Sequence, residues 1–229
     1  MTDVATRWRD VRAAVDAACH AAGRAPAEVT VVAVSKHHPV EALAAALAAG
    51  VTDLGENYVQ ELVGKQAALA AAAPPRWHFI GRLQRNKARQ VAGQVALVHA
   101  VDSVELGREL GKRVPPDAVQ PILVAVNLAG EATKGGVALT DAPALVAALA
   151  EVPGVRVDGL MTMPPPTEDP ATSAPYFDAL RALRDRLATP ARPLPHLSMG
   201  MSDDFATAIA CGATIVRIGT AIFGPRPSA

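Results

Sequence analysis

The sequence runs to 229 residues, enough for one domain with a sizeable core and cramped for two. Its 22 basic and 22 acidic side chains cancel, so the charge that drives counterion release is missing and nucleic-acid partners are excluded. Half of the residues are hydrophobic, which excludes disorder, while only 3% are aromatic, so small and branched aliphatic side chains must build the core.

In chain order, the first expected element is a helix. Val4, Trp8, Val11, Val15, Cys19 and Ala22 recur at helical spacing, and Gly23 ends it. A β-branched run over 29–34 follows, then a helix from Pro39 to Gly50 and a short strand near Thr52, Asp53 and Leu54. The alternation continues with a strand over 77–80, a basic helical stretch from Gln84, and strands over 97–101 and 121–126. After a helix over 142–150 come a strand over 155–160, a helix over 175–187, a strand at His196 and Leu197, a helix over 202–211 and a strand over 214–218. Strands apolar on both faces and alternating with helices are parallel strands covered by helices. About eight such units, with no break between them, predict a single-domain (β/α)8 TIM barrel over 1–229 with an extra N-terminal helix. An open doubly wound sheet is the alternative, but no G-x-G-x-x-G follows the first strand.

The start Met1-Thr2-Asp3 carries no secretory signal, and no apolar stretch reaches the length of a membrane span. Cys19 and Cys211 sit far apart, without CxxC or zinc-ligand spacing. A cytoplasmic protein with two core thiols, no metal and no membrane partner is expected.

In a barrel of this kind chemistry sits at the carboxyl ends of the strands. Lys36 ends the first one, where partial desolvation would lower its pKa and suit it to form a Schiff base; a solvated loop lysine is the plainer alternative. Ser198, Met199, Gly200, Met201 and Ser202 follow the seventh strand. There Ser202 reads as a helix N-cap, and Gly200 as a point of close backbone approach to a ligand. Gly219 and Thr220 follow the eighth. Loops after the seventh and eighth strands form the usual phosphate site of such barrels. Arg217 stands inside an otherwise apolar strand and must find a partner. A Schiff-base lysine, a phosphate cradle and an arginine donor together suggest pyridoxal phosphate.

The chain resembles the pyridoxal phosphate homeostasis proteins, which share the barrel of the alanine racemase N-terminal domain. The matching stretches are Val32-Ala33-Val34-Ser35-Lys36, Gly55-Glu56-Asn57-Tyr58-Val59-Gln60-Glu61, Trp77-His78-Phe79-Ile80-Gly81, residues 197–205 and Val216-Arg217-Ile218-Gly219. The resemblance implies that Lys36 holds pyridoxal 5'-phosphate as a Schiff base and that Asn57 lies beside the ring. It implies further that Ser198, Ser202, Gly219 and Thr220 bind the phosphate, that Met163 and Met199 line the pocket, and that Arg217 meets the ring nitrogen. An arginine there can only donate, so the nitrogen stays unprotonated and the ring is a weaker electron sink. His38 stands where the family often has a second lysine, Leu54 where it usually has phenylalanine, and Lys134 matches a family lysine of a secondary cofactor site, an exposed loop lysine being the equal alternative.

Three functions follow as alternatives: a carrier that stores, buffers or delivers the cofactor, an amino-acid racemase, or a barrel enzyme acting on a small phosphorylated metabolite. Racemisation needs acid/base groups on both faces of the bound substrate. Racemases of this barrel take the second, a tyrosine, from a further C-terminal domain, whereas this sequence ends nine residues after Thr220 and contains only Tyr58 and Tyr176. A non-catalytic, monomeric cofactor-binding protein is therefore expected, with cofactor-dependent apo-enzymes as recipients. His37-His38 is a poor metal pair, and Arg82, Arg85, Lys87 and Arg89 read as a solvated face or an anion patch.

Overall fold

A computed structural model describes residues 3–70, 74–131 and 135–225. After α1 (Val4–Ala21) come β1 (Thr30–Val34), α2 (Val40–Ala48), β2 (Asp53–Glu56), α3 (Val59–Ala68) and β3 (Arg76–Phe79). These are followed by β4 (Leu97–Val101), α4 (Val104–Gly111), β5 (Gln120–Asn127), the two-residue β6 (Val137–Ala138), α5 (Ala142–Ala150) and β7 (Val155–Met161). The chain then forms α6 (Ala174–Leu187), β8 (His196–Ser198), α7 (Phe205–Ala210), β9 (Ile215–Ile218) and α8 (Thr220–Phe223). The strand order β4-β3-β2-β1-β9-β8-β7-β5 closes on itself through β4–β5, and the paired strands run parallel. The eight-stranded barrel expected from the sequence is thus present, with β6 as a small addition on β5.

Successive residues of a strand point to opposite faces. Val31, Ala33, Trp77, Phe79, Val98, Ile122, Val216 and Ile218 join the core shared with the helices. Val32, Leu97, Leu123 and Ile215 form a separate cluster, with Met161 packed on it. Both faces are apolar, which is why most strands read as continuous runs. Each fully buried aliphatic side chain contributes roughly 1.5–3 kcal/mol; in α6 Phe177, Leu180 and Leu183 anchor the helix in this way.

α1 lies outside the alternation. Asp3 caps it by accepting from the Thr6 amide, and its buried stripe Trp8, Val11, Val15 and Cys19 packs on α2, α7 and α8. Just beyond it, Arg24 Nη1 donates to the carbonyls of Ala213 (2.7 Å) and Ile209 (3.0 Å). The helix therefore spans the seam where the last βα unit meets the first. Among the described residues, no helix is long and apolar enough to cross a membrane.

Two expected elements differ. The basic stretch after Gln84 forms only a short 3-10 helix (Arg85–Gln90), and α7 starts at Phe205 instead of Ser202. Asp204 is the residue at the cap position, with its Oδ1 accepting from the Met201 amide at 2.7 Å. Ser202 was expected to cap the helix; the Asp204 side chain, at the cap position, makes no cap bond and braces the preceding turn instead.

Candidate functional site

A cavity of about 430 Å³ opens at the carboxyl ends of the barrel strands. Its lining includes Lys36, Asn57, Met163, Ser202, Arg217, Gly219 and Thr220, seven of the nine residues singled out in the sequence, together with Arg82, Asp102, Asn127 and Met161. Ser198 and Met199 do not line it. Met199 is fully buried in the outer core, and Ser198 is buried beneath the cavity wall, where its Oγ accepts from Arg217 Nη1 at 2.7 Å. Gly200 also has a different role from the one expected. At φ +92° it seats α7, since a Cβ there would come within 2.6 Å of the Ala208 Cβ. Lys134 lies outside the described residues.

Lys36 is placed by a clamp on the residues to either side of it. Ser35 directly follows β1, and its carbonyl accepts from Lys65 Nζ at 2.8 Å. His37 takes the left-handed φ of +64°, and its amide donates to Glu61 Oε2 at 2.8 Å. The clamp is tied together between β2 and α3. Lys65 Nζ donates to Glu56 Oε1 (2.6 Å) and Glu61 Oε2 (2.8 Å), and Ser35 Oγ donates to Glu56 Oε1 (2.7 Å). Glu56 is fully buried and its Oε2 has no partner. Burial pushes the Glu56 carboxyl up, against the pull of Lys65 and Ser35. Burial also works upward on Glu61, but the bonds from Lys65 and the His37 amide outweigh it and hold that carboxyl below its ordinary value. These three charged residues lie in and just after the quoted Gly55–Glu61 stretch. The i,i+4 spacing of Glu61 and Lys65 is the one sequence signal that marks them.

Asn57 follows β2 with its Oδ1 buried and without a partner. Its backbone is crowded by Gly81, where a Cβ would stand 2.2 Å from the Asn57 carbonyl oxygen. Across the cavity, Gly219 brings its backbone against Val34, 3.3 Å from that residue's carbonyl by the same measure. The amides of Ile222 and Phe223 turn back onto the Gly219 carbonyl, so those of Thr220 and Ala221 open the turn.

Arg217 is held from inside the barrel. Besides Ser198, its Nη2 donates to the Thr162 carbonyl at 3.0 Å. Burial pushes its guanidinium down to about 10, which leaves it charged at neutral pH. Behind it stand His99, His78 and Asp53, none of which the sequence assigned a role. Burial holds His99 well below its ordinary 6.5 and lowers His196 as well. For Asp53, burial works upward but bonds from His78, Arg76 and Thr52 hold the carboxyl below its ordinary value. A histidine depressed in the fold takes up its proton only on unfolding, so stability falls as pH drops below about 6.5. Asp53 adds to that loss at lower pH, and Glu56 opposes it. Urea midpoints are expected to decline from pH 7 to pH 5, with a shallower decline in His99→Gln; an equal slope in the variant counts against this origin.

The remaining candidates fall elsewhere. His37 packs against Tyr58 (centroids 5.2 Å) and His38 stacks on Phe223 (5.1 Å), so the two imidazoles diverge. Arg82, Arg85, Lys87 and Arg89 line a larger, open depression of about 1470 Å³ beside the cavity, together with Asp102, Glu105 and Glu109. Both cysteines are buried, and burial pushes the Cys211 thiol up to about 11.

Residues 12–227 match the family model described as alanine racemase, N-terminal domain. The pyridoxal phosphate homeostasis protein of Pseudomonas aeruginosa is 46% identical over 228 residues, covering 99% of this chain and 97% of that one. The chain belongs to the pyridoxal phosphate homeostasis protein family. PipY of Synechococcus elongatus, solved with PLP bound, superposes with a TM-score of 0.84 at 33% identity, covering 97% of this chain and all of that one. The alanine racemase of Corynebacterium glutamicum shares the fold, with a TM-score of 0.69 at 19% identity over 97% of this chain and 63% of that one.

Proposed function

We propose that the cavity holds pyridoxal 5'-phosphate, with Lys36 as the amine that retains it covalently. In this reading the protein stores, buffers or delivers the cofactor inside the cell and has no dedicated catalysis. The observation that carries it is the convergence on one cavity of Lys36, Arg217 and the Gly219-Thr220 turn. The donor set fits the group. An amine suits an aldehyde, a glycine-led helical turn with the Ser202 and Thr220 hydroxyls suits a phosphate, and the orphaned Asn57 Oδ1 leaves a buried acceptor for a polar ligand atom. Membership of a family with a PLP-bound member supports the same ligand.

Each residue has a task that its chemistry allows. The Glu56–Lys65–Glu61 clamp fixes the backbone from which Lys36 projects. Arg217 donates and cannot accept, so it faces a ring nitrogen that carries no proton. When bound, the cofactor supplies an electrophilic aldehyde carbon and an electron-withdrawing ring, and an unprotonated nitrogen mutes the second. Among the described residues, the cavity lining contains no histidine, tyrosine or cysteine; Asp102, Asp203 and Lys36 are its acid/base side chains, and it lacks the tyrosine that racemases of this barrel use on the second face.

Incubation with pyridoxal 5'-phosphate followed by borohydride is expected to fix one pyridoxyl mass on the peptide bearing Lys36. Single-enantiomer amino acids are expected to stay optically unchanged with the loaded protein. Label confined to another lysine sinks the site, and sustained loss of optical rotation sinks the carrier reading.

A further inference from the structure

A continuous row of hydrogen bonds runs through the barrel interior behind the cavity wall. From Arg217 Nη1 it is 2.7 Å to Ser198 Oγ, and from there 2.8 Å to His99 Nδ1. His99 Nε2 lies 2.9 Å from His78 Nδ1, and His78 Nε2 lies 2.9 Å from Asp53 Oδ1. The five residues come from β9, β8, β4, β3 and β2, and the His99–Ser198 contact crosses the barrel. None is more than 8% exposed.

The direction of the row follows from its two ends. A guanidinium has donors and no acceptor, so Ser198 Oγ accepts from Arg217. At the other end Asp53 receives Arg76 Nη2 at 2.8 Å on Oδ1 and 3.0 Å on Oδ2, and Thr52 Oγ1 at 2.7 Å on Oδ2. A carboxylate surrounded by donors is ionised, so His78 must bring a proton on Nε2. With one proton per imidazole, His78 Nδ1 then accepts from His99 Nε2–H, and His99 Nδ1 accepts the Ser198 hydroxyl. A second proton on His78 would make His99 a donor to Ser198, whose hydroxyl proton would then face donors on both of these contacts. Burial, which holds His99 well below its ordinary range, favours the single-proton form.

We propose that Asp53 is the hydrogen-bonded counter-charge of Arg217, reached through two neutral Nε2–H imidazoles and a hydroxyl, and that this row fixes the guanidinium as a donor at the cavity wall. Asp204 adds a second carboxylate that favours the charged form of Arg217. Bonds aligned head to tail polarise one another, so the carboxylate acts over a distance at which an isolated charge pair would be weaker. Asp53, His78 and His99 are then positioning residues for the cofactor. The inference rests on the proposed function only in naming a ring nitrogen as the acceptor that Arg217 serves.

Nitrogen-15 histidine labelling of the cofactor-free protein tests the row directly. At neutral pH a nitrogen–nitrogen coupling across the His99–His78 bond is expected, with the proton on His99 Nε2 and both Nδ1 atoms bare. Asp53→Asn keeps an oxygen acceptor and is expected to preserve this pattern; Asp53→Leu is expected to lose it. Cofactor dissociation constants, read by titration of the visible band, are expected to rise about tenfold in Asp53→Leu and to stay within about twofold in Asp53→Asn. Should Asp53→Leu fail to fold, His99→Leu interrupts the same row and is read in the same way. A proton on either Nδ1, or no coupling, overturns the row. Correct tautomers with unchanged affinity in the interrupted variants overturn its role toward the cofactor. If no cofactor binds to the unaltered protein, the proposed function fails while the tautomer measurement still decides the row.

Discussion

Lys65→Met is expected to destabilise the protein by about 3–5 kcal/mol, the usual cost of stranding a buried charge. Glu56 is fully buried, one of its oxygens has no partner, and the other would keep only the Ser35 hydroxyl. The Ser35 carbonyl would lose its Lys65 donor as well. Urea unfolding measures the loss directly, and a drop below about 1 kcal/mol would mean that the pair contributes no more than a surface salt bridge. The variant also carries a pH signature with a definite sign. Burial pushes Glu56 above its ordinary 4.5, and removing Lys65 takes away an opposing pull. A carboxyl raised in the fold adds stability at low pH, which is lost as pH rises through the folded value. Relative to the parent, the variant is therefore expected to gain stability on mild acidification, the histidine losses being common to both. Adding Glu56→Gln removes the stranded charge and is expected to restore part of the loss and to abolish the acid gain.

Lys36→Ala and Lys36→Arg are both expected to lose all borohydride-fixed pyridoxyl mass. The pairing is informative because arginine keeps the positive charge while its guanidinium stays protonated and does not serve as an amine nucleophile. Retained labelling in either variant would move the covalent site elsewhere. Labelling lost in alanine but kept in arginine would contradict the amine chemistry altogether. Mass spectrometry of the intact protein after reduction and dialysis separates these outcomes. A charge-only role for Lys36 predicts that the arginine variant still colours on incubation, whereas the amine role predicts a colourless protein in both cases.

The barrel was legible in the sequence because parallel strands covered on both sides leave long aliphatic runs, as in β1, β5 and β9. The strand at Asp53–Glu56 left only a faint trace, since two carboxylates and a glycine break its pattern. Each carboxylate is buried for a reason supplied by another element: Asp53 by β3, and Glu56 by α3. The start of α7 is not readable from residue type: Ser202 is a good cap by type, yet Asp204 holds the cap position and binds the upstream Met201 amide instead of a helix amide. Site residues carried by loops at strand ends were findable by position alone. Ser198 and Met199 were not separable from their neighbours, because only the closed barrel shows which side chains line the cavity and which lie behind it. The imidazole row was invisible for the same reason. Its bonded neighbours lie 19 to 99 positions apart, and nothing in a linear pattern aligns His78 with His99 across two strands.

α1 donates no side chain to the cavity, yet it packs on α7 and α8, the elements next to the proposed phosphate end. α7 is seated by Gly200, and α8 begins at Thr220. The short α8, only four residues long, has little capacity to hold itself in place. It packs on α1, the eighteen-residue helix that opens the fold. On the proposed reading, a variant that loosens α1 would weaken ligand binding, and a bound ligand would stabilise the docking of α1 by the same increment.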